Sequence, residues 1–570
     1  MTDPKDDPTD PKNRFARFAK ADAVDAVNAP NDVDVVDHAE AIAPVVEPVV
    51  EPVGAPGAFR VTPQHAAFFA WVEDPAPAHK AAILEAVAGS GKTSTLKQAA
   101  RRIPSTEKGI YVAFNKRVVD EIKGGLPAHI GASTLHSVGY RAVIANFGKR
   151  IDARADTRKT WKLFDEFTKR DPRLAEYGAT VAKLVSKAKA VGIVPTDVDG
   201  TYGLVDDTPE AWEDLIERFN IDPPAGDHDP RRMLTAIEIA RNVLRLGLVF
   251  DKEHRTIDFD DQLYLVVAYR LPLTRYKWVL VDEAQDVSAV QRAMLHAMVA
   301  MKTGRLIAVG DAHQAIYGFR GADSDSLAAI AREFKATAFP LSVTYRCPTH
   351  VVELARDYVP HLTACEGAPA GEIRVNVRID GIDWRPSDLV VCRNNAPLVT
   401  LAYQLLRKKV ACKVLGRDIG SGVKTLVKKL RAKDLPDLLA RADRYLEEQR
   451  VKLTSAGKES QIEGVEDRVE TLKAFALEAR NLMDLERAID DLFADDVTSM
   501  TTLSTIHKAK GAEAPRVVIL DPRRMPSKAA RAEWEFQQER NLIYVAYTRA
   551  REELIFASLD GAPALPPAAF

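Results

Sequence analysis

A short apolar stretch, a glycine-containing loop and a helical stretch, in that order, most constrain how this chain can fold. Residues 81–85, Ala-Ala-Ile-Leu-Glu, predict a buried strand, and residues 94–102 predict a helix. The loop between them contains Gly-Ser-Gly-Lys-Thr at 89–93. Its small residues let backbone N–H groups curl around a phosphate at the positive end of the helix. The sequence therefore predicts a phosphate-binding loop.

Each residue type in this loop suits a nucleotide. Lys92 is expected to reach the β- and γ-phosphate oxygens, and the Thr93 hydroxyl to coordinate Mg²⁺. The usual pattern begins with a glycine where this chain has Ala86. A chance turn before a helix is the alternative, and Gly-Lys-Thr at the helix start argues against it. The predicted nucleotide contacts are Ala88, Gly89, Ser90, Gly91, Lys92, Thr93 and Ser94.

A second motif that can support catalysis is acidic. Residues 277–281, Lys-Trp-Val-Leu-Val, predict a strand that ends at Asp282 and Glu283. An acid-rich exposed loop is the structural alternative, although two adjacent acids just past a buried strand are poorly explained by folding alone. One carboxylate can hold Mg²⁺ through water, and the next can accept a proton from the water that attacks the γ-phosphate. We therefore assign Asp282 to the metal and Glu283 to the base.

Composition excludes several classes of protein. The 570 residues contain 79 Lys plus Arg against 81 Asp plus Glu, a net charge of −2, which excludes a uniformly basic nucleic-acid binder. The sequence has no run of about 18 apolar residues, and its polar start lacks the apolar stretch of a secretory signal. The four cysteines contain no CxxC pair, which argues against a zinc knuckle, an iron–sulfur cluster or a disulfide framework. We therefore expect a cytoplasmic protein without a membrane partner.

Charge is unevenly distributed along the chain. Residues 21–51 contain acids and several prolines but no Lys or Arg, so residues 1–58 are predicted to be a disordered tail. Within that tail, Arg-Phe-Ala-Arg-Phe-Ala-Lys at 14–20 is a short amphipathic stretch whose alternative interpretation is a docking helix. Residues 407–433 are strongly basic. A solvated helix face explains them about as well as a track for a phosphate backbone.

The motifs occur in the order found in one family. At 282–286, Asp-Glu-Ala-Gln-Asp, the sequence resembles the UvrD/Rep-type superfamily 1 DNA helicases. Ala-Phe-Asn-Lys at 113–116 and Thr-Leu-His-Ser at 134–137 are most similar to the compact F-box-helicase-like branch, although no F-box is seen. Further segments that resemble the family's motifs are 62–64, 257–261, 310–322, 345–346, 504–513 and 544–550.

The resemblance implies an α/β fold, that of a P-loop NTPase with two RecA-like parallel-sheet domains and helical insertions. Helical periodicity across roughly 145–250 suits an inserted helical subdomain between the two nucleotide motifs. The predicted division is a disordered tail at 1–58, RecA-like domain 1A at 59–145 and 250–332, helical insertion 1B at 146–249, RecA-like domain 2A at 333–434 and 497–557, short helical insertion 2B at 435–496 and a flexible C-terminal tail at 558–570.

The resemblance also implies roles for residues at the nucleotide. Gln314 follows a predicted strand at 305–309, where its amide would orient the attacking water and sense the γ-phosphate. Arg346 and Arg549 would arrive from the second domain and stabilise the transferring phosphoryl group once the cleft closes. Taken alone, each arginine could equally be a surface ion pair. The implied catalytic residues are Lys92, Glu283, Gln314, Arg346 and Arg549, and the further nucleotide contacts are Gln64, Tyr345 and Glu513.

DNA contacts are implied on both domains. Helicase channels combine base stacking on aromatic side chains with sequence-tolerant backbone contacts. A core role is nearly as good an explanation for Phe114, since it follows an apolar run, and His136 and His507 could be ordinary polar residues. The implied DNA contacts are Phe114, Asn115, Thr134, His136, Tyr317, Phe319, Arg320 and His507.

The predicted function is an ATP- and Mg²⁺-dependent motor that moves 3′→5′ on single-stranded DNA and separates duplexes, with the polarity taken from the resemblance. The alternative is a DNA-stimulated translocase that mainly strips recombinase or other proteins from single-stranded DNA, which the reduced insertion at 435–496 and the tail at 1–58 leave open. The expected partners are single-stranded DNA and tailed or forked duplexes, with recombinase or replication proteins beside them on the nucleoid. A small-molecule phosphotransferase would not need Arg346, Arg549 and an aromatic DNA track.

Overall fold

The computed structural model describes residues 59–567 except for a few internal positions, which are 153, 220, 222–223, 225–229, 252–253, 317–324, 456–460, 495–499 and 532. The predicted disordered tail at 1–58 lies outside the described residues, as do Tyr317, Phe319 and Arg320. Their assignments stay predictions. Among the helices of the described part, none is long and apolar enough to cross a membrane.

The first sheet consists of parallel strands: β1 (Ala81–Ala86), β2 (Gly109–Val112), β3 (Ile130–Ser133), β4 (Trp278–Val281), β5 (Arg305–Gly310) and β6 (Thr337–Leu341). They lie in the order β3-β2-β4-β5-β1-β6. Every residue of β4 and β5 is buried, as expected for parallel strands that helices cover on both faces. The strands predicted at 81–85, 277–281 and 305–309 are confirmed to within a residue at their ends.

Helices lie around this sheet and in the insertion between β3 and β4. Along the chain, a helix follows each of strands β1 to β5. The helices are α1 (Pro63–Glu73), α2 (Lys92–Arg102), α3 (Lys116–Lys123), α4 (Leu135–Phe147), α5 (Lys159–Arg170), α6 (Gly178–Val191), α7 (Pro209–Arg218), α8 (Pro230–Leu248), α9 (Asp261–Ala268), α10 (Ala289–Met298) and α11 (Ser326–Phe334).

The strand order brings the chemical motifs together. Strands β4, β5 and β1 are neighbours, so the loops at their carboxyl ends lie side by side. Those loops are the phosphate loop after β1, Asp282 and Glu283 after β4, and the turn Ala312–Gln314 after β5. Segments that are far apart in sequence therefore meet at one edge of the sheet.

Arg305 anchors the helix that precedes the sheet. Its guanidinium lies over the rings of Trp71 and Trp278, 4.2 and 4.3 Å from their centroids. It also donates hydrogen bonds to backbone carbonyls at the end of α1, including that of Asp74 at 2.8 Å. These contacts satisfy carbonyls that a helix end leaves without intrahelical partners. They hold α1, which carries Gln64, against β5.

Four buried charged side chains join the inserted helices α5 and α6 to the segment 258–261, at the start of α9. Lys159 Nζ on α5 lies 2.6 Å from Asp261 Oδ2, and Lys189 Nζ on α6 lies 2.8 Å from Asp261 Oδ1 and 2.5 Å from Asp258 Oδ2. Burial opposes ionisation of Asp261, but Lys159 and Lys189 together lower its pKa to about 2. Two lysines and two aspartates therefore neutralise one another inside the protein.

We expect Asp261→Ala to lower the free energy of unfolding by about 3–5 kcal/mol, because it leaves two buried lysines with one carboxylate. Asp260→Ala is the matched control, since Asp260 is only partly buried and accepts one hydrogen bond from Ser186 Oγ. Urea unfolding followed by tryptophan fluorescence compares the variants. Equal stability of the two variants would show that the charge group contributes nothing.

The second sheet is also parallel. Its strands are β9 (Glu372–Arg378), β10 (Leu389–Cys392), β11 (Cys412–Leu415), β12 (Phe493–Ala494), β13 (Thr501–Thr505), β14 (Ala514–Leu520) and β15 (Ala550–Ser558), after a separate pair, β7 (Val343–Thr344) and β8 (Thr363–Ala364). They lie in the order β12-β11-β13-β10-β14-β15-β9. Two parallel sheets with helices confirm the predicted fold class.

The helices of this half are α12 (Thr349–Ala355), α13 (Ala396–Arg407), α14 (Arg417–Leu430), α15 (Leu435–Ser455), α16 (Ile462–Ala476), α17 (Leu482–Leu492) and α18 (Glu533–Tyr547). Helices α15, α16 and α17 fall within the predicted insertion 2B. Their apolar residues share a core with α13 and the second sheet, as Phe475 and Leu438 do, both fully buried. Strand β6 (Thr337–Leu341) pairs with β1 in the first sheet, so the predicted start of domain 2A at residue 333 is too early. The other boundaries of the domain division stay our proposal.

The predicted flexible C-terminal tail at 558–570 needs a correction. Ala564 is fully buried. Its backbone N–H donates to Asn376 Oδ1 at 2.8 Å, and its carbonyl accepts from the Asn376 N–H, also at 2.8 Å. The chain after β15 therefore packs beside β9 as far as Ala564, because these two hydrogen bonds satisfy a buried backbone.

Candidate active site

The phosphate loop adopts a backbone that requires glycine. Gly89 and Gly91 have φ values of +72° and +82°, in the left-handed region. A Cβ on Gly89 would lie 2.5 Å from Arg346 Cβ and 2.6 Å from Thr344 Oγ1. The Ser90 hydroxyl is buried without a hydrogen-bond partner among the described residues. A buried hydroxyl of this kind can donate to a phosphate, and phosphate binding by the loop itself stays a prediction.

The metal-site residues form an oxygen-rich pair. Thr93 Oγ1 donates a hydrogen bond to Asp282 Oδ2 at 2.9 Å, and Tyr111 Oη donates to the same oxygen at 2.6 Å. A hydroxyl beside a buried carboxylate at a phosphate loop fits Mg²⁺, which prefers oxygen ligands and keeps several waters. Sequence reasoning missed Tyr111, since a tyrosine inside the apolar strand β2 carries no local signal of this contact.

Glu283 is held in a constrained position. Its φ is +52°, uncommon for a residue with a side chain, and its Oε1 lies 3.9 Å from Lys92 Nζ. The Gln285 amide donates a hydrogen bond to its other oxygen. Burial opposes its ionisation, but Lys92 and Lys510 more than offset that effect and lower the pKa of Glu283 to about 2. The side chain is therefore a carboxylate at any working pH.

Gln314 is fixed by groups from both sheets. Its Nε2 donates to Asp311 Oδ2 at 2.7 Å, and its backbone carbonyl accepts from Lys510 Nζ at 2.7 Å. Lys510 also makes a buried ion pair with Asp286 Oδ2 at 2.6 Å. Burial raises the pKa of Asp286 to about 6, although Lys510 opposes the rise. Lys510 lies in the segment 504–513, which resembles a family motif, but the sequence did not indicate this role for it.

The two predicted catalytic arginines lie close together. Arg346 pairs with Glu513 and donates to the Thr548 carbonyl at 3.2 Å. Arg549 is buried and donates to the carbonyls of Val545 at 2.8 Å and Ala512 at 3.2 Å. Burial, and then Arg346, lower the pKa of Arg549 to about 10. Two partly desolvated cations side by side would gain from an anion such as a phosphate.

Gln64 and Tyr345, two of the predicted nucleotide contacts, are each held by hydrogen bonds. Gln64 Nε2 donates to Ser342 Oγ at 2.9 Å, and Gln64 Oε1 accepts from the Ser342 N–H at 3.1 Å. A carboxamide has a second N–H and a second lone pair, so Gln64 can make further hydrogen bonds while Ser342 orients it. Tyr345 is 41% exposed, and its N–H donates to the Gly89 carbonyl at 2.9 Å.

Two of the predicted DNA contacts lie beside the acidic loop. Phe114 and His136 line one small cavity together with Asp282 and Glu283. Phe114 is 41% exposed, which excludes the core alternative. His136 stacks on Phe259 with ring centroids 3.9 Å apart, and burial lowers its pKa to about 4, so the ring is neutral. The exposed Phe259 is an aromatic side chain to which sequence reasoning gave no role.

The other predicted DNA contacts are more scattered. Asn115 accepts from the Val118 N–H at 2.9 Å, and Thr134 accepts from the Ser137 N–H at 3.1 Å, so each caps a helix. His507 lies elsewhere, in a cavity of about 770 Å³. The structure therefore does not bring all of the described candidates into one pocket, and their contacts with DNA stay predictions.

A phosphate loop beside acids on one parallel sheet, with Arg346 next to the loop and Arg549 at the start of β15 in a second parallel sheet, defines a P-loop NTPase with two RecA-like domains. Residues 73–335 match the UvrD/REP helicase N-terminal domain, and residues 400–560 match the UvrD-like helicase C-terminal domain. The chain belongs to the UvrD/Rep-type superfamily 1 helicases.

Curated relatives agree with the family. The chain is 25% identical over 527 residues to F-box DNA helicase protein 1 of Schizosaccharomyces pombe, covering 83% of this chain and 55% of that protein. It is 27% identical over 248 residues to F-box DNA helicase 1 of Gallus gallus, covering 42% and 22%. It is 25% identical over 304 residues to ATP-dependent DNA helicase srs2 of S. pombe, covering 49% and 33%. The chain thus spans about half, or less, of the length of these relatives.

Proposed function

We propose that this chain is an ATP-dependent DNA helicase or translocase that moves 3′→5′ on single-stranded DNA and unwinds duplexes. The observation that carries this proposal is the meeting of both parallel sheets at the phosphate loop. Tyr544, on α18 next to β15 of the second sheet, contacts Ala88, and Lys510, between β13 and β14 of the second sheet, reaches Asp286 and Gln314 on the first. A nucleotide there would bind residues of both domains, so its hydrolysis would change their contact. The polarity rests on the family resemblance.

At the nucleotide, the loop residues from Ala88 to Ser94 would hold the phosphates, with Lys92 providing the closest charge. Gln64 would contact the base, and Tyr345 and Glu513 would be further nucleotide contacts. Mg²⁺ bound by Thr93 and Asp282 would supply positive charge to the β- and γ-phosphate oxygens.

Hydrolysis would need a base, an orienting group and charge stabilisation. Glu283 is ionised, so its carboxylate can accept a proton from the attacking water. Gln314, held by Asp311, would orient that water. Arg346 and Arg549 would stabilise negative charge on the transferring phosphoryl group. Binding of an anion next to them is favourable because the two guanidiniums repel each other.

The cavity that contains His507 is lined by both basic and acidic side chains, with Glu463, Asp467, Glu535 and Glu539 among the acidic ones. The lining also includes Lys183, Lys187 and Phe219 from the inserted helices and Asn394, Lys508 and Trp534 from the second half of the chain. Lys187 Nζ lies 4.8 Å from the Phe219 ring centroid. Lysines suit a phosphate backbone, and aromatic faces suit bases of any sequence. We therefore propose that single-stranded DNA passes through this cavity.

The proposed substrates are single-stranded DNA and tailed or forked duplexes, met on the nucleoid in the cytoplasm. Recombinase or replication proteins are the proposed protein partners. A translocase that mainly strips recombinase from DNA is the alternative activity, and it would use the same nucleotide site.

Strand displacement tests the proposal. We expect ATP-dependent release of the short strand from duplexes with a 3′ single-stranded tail, and much slower release with a 5′ tail of equal length. Faster release with the 5′ tail would reverse the polarity. DNA-stimulated ATPase activity with recombinase removal but no strand release would favour the stripping alternative. An ATPase that DNA does not stimulate would contradict both.

A further inference from the structure

Helix α18 of the second half of the chain contacts the turn that carries Gln314. The Asn541 side chain, which is buried, donates through Nδ2 to the Ala315 carbonyl at 2.9 Å and to the Ala312 carbonyl at 3.3 Å. Its Oδ1 accepts from Gln537 Nε2 at 3.0 Å on the same helix. One carboxamide thus holds both ends of the turn Ala312–Gln314 from across the cleft.

One turn further along α18, Tyr544 contacts the phosphate loop. Its hydroxyl accepts from the Ala88 N–H at 2.8 Å and donates to Asp311 Oδ2 at 3.4 Å. Asp311 Oδ2 is the same atom that accepts from Gln314 Nε2. Tyr544 is fully buried, so no water replaces these contacts. A continuous chain of hydrogen bonds therefore runs from the phosphate loop through Tyr544 and Asp311 to Gln314.

We infer that Asn541 and Tyr544 are positioning residues that place the Gln314 amide for hydrolysis only while the two sheets are in contact. This inference deepens the proposed function and rests on it. Neither residue needs to touch the nucleotide. Their hydrogen bonds act on Asp311, on the carbonyls beside Gln314 and on the phosphate-loop backbone.

The geometry explains why cleft closure and catalysis would be linked through α18. Gln314 and Asp311 directly follow β5 of the first sheet. Asn541 and Tyr544 lie on α18, the helix that precedes β15 of the second sheet. Separation of the sheets would break the Asn541 and Tyr544 contacts together. Gln314 would then keep Asp311 but lose the groups that fix its turn. A displacement of about 1 Å at a catalytic group can cost 10²-fold in rate.

The experiment measures DNA-stimulated ATPase rates of Asn541→Asp, which keeps the shape of the side chain but removes the NH₂ group that donates to both carbonyls; as a carboxylate it has no donor. We expect kcat to fall about tenfold or more, with KM for ATP and the Kd for single-stranded DNA within about twofold of wild type. Gln537→Ala is the matched control on α18, because it removes the partner of Asn541 Oδ1 and leaves the bonds to the turn. Its kcat should stay within about twofold.

A double-mutant cycle with Gln314→Ala separates positioning from general stability. If Asn541 acts through Gln314, Asn541→Asp should add almost no loss in the Gln314→Ala background. Additive losses, or a normal kcat for Asn541→Asp, would overturn the inference. Tyr544→Phe, which removes only a hydroxyl, should show the same loss of kcat and the same lack of additivity with Gln314→Ala. If Asn541→Asp has a much lower melting temperature than wild type, Tyr544→Phe takes its place in the cycle. A wild-type protein that lacks DNA-stimulated ATPase activity would contradict the proposed function instead.

Discussion

Glu283→Gln is expected to slow ATP hydrolysis by roughly 10²–10⁴-fold, the usual range for a positioned general base, while ATP binding survives. The substitution keeps the size of the side chain and its contact with Gln285, but it removes the group that can take the proton. Thr93 and Asp282 would keep their oxygen pair, and Lys92 would still face the phosphates. Single-turnover hydrolysis and equilibrium binding of a fluorescent ATP analogue measure the two effects separately.

The consequence for DNA distinguishes this assignment from a simple loss of structure. With ATP bound but not hydrolysed, the variant should remain in the closed state, with DNA affinity close to that of wild type bound to a nonhydrolysable analogue. Glu121→Gln is the matched control, because Glu121 is exposed on α3 and pairs only with Arg117 among the contacts seen. Loss of ATP binding in Glu283→Gln would mean that the carboxylates have other roles, and Asp286 would be the next candidate for the base.

The fold and the centre of the nucleotide site were predictable because their signals are local. Gly91, Lys92 and Thr93 stand between an apolar stretch and a helical stretch, and Asp282 directly follows another apolar stretch. Periodicity and turn chemistry over a few residues therefore indicate the strand, the loop and the helix. The side-by-side placement of the two loops follows from parallel strands, whose carboxyl ends share one edge of a sheet.

The supporting contacts were not predictable, since their partners are distant in sequence. Lys510 and Asp286 are 224 positions apart, and Tyr111 and Asp282 are 171 apart. No local pattern indicates which lysine meets which aspartate. The pairing of Asp258 and Asp261 with Lys159 and Lys189 is of the same kind, because it depends on how the inserted helices pack.

Local signals also explain the helix caps, whereas the packing of the chain's end was not visible in the sequence. Asn115 and Thr134 stand immediately before helices, where these residue types are favoured as caps, and the structure shows both capping. Capping does not exclude the DNA contacts that the family resemblance implies at these two positions, and those contacts stay predictions. The end of the chain is rich in alanine and proline, which suggested flexibility, yet Ala564 has a buried place beside Asn376 that composition alone does not reveal.

Lys92→Ala is expected to reduce ATP turnover at least 10²-fold, the scale for removing one preorganised charge from a phosphoryl-transfer site. Lys92 is the first residue of α2, and its ammonium lies 3.9 Å from Glu283 Oε1, where it would contact the β- and γ-phosphate oxygens. The loop backbone, set by Gly89 and Gly91, should remain. Binding of ATP should weaken as well, which separates this variant from Glu283→Gln.

DNA binding without nucleotide should persist in Lys92→Ala, because the proposed single-strand channel is lined by other residues, among them Lys183, Lys187 and Lys508. Lys97→Ala removes the same charge from the same helix about one and a half turns away, so its turnover should match that of wild type within about twofold. ATPase rates and fluorescence anisotropy with labelled single-stranded DNA measure both effects. If Lys92→Ala instead hydrolyses ATP at a rate within about twofold of wild type, the loop at 89–93 is not where the nucleotide is hydrolysed. The assignment of Glu283 as the base must then be withdrawn as well, because it depends on the proximity of Glu283 to Lys92.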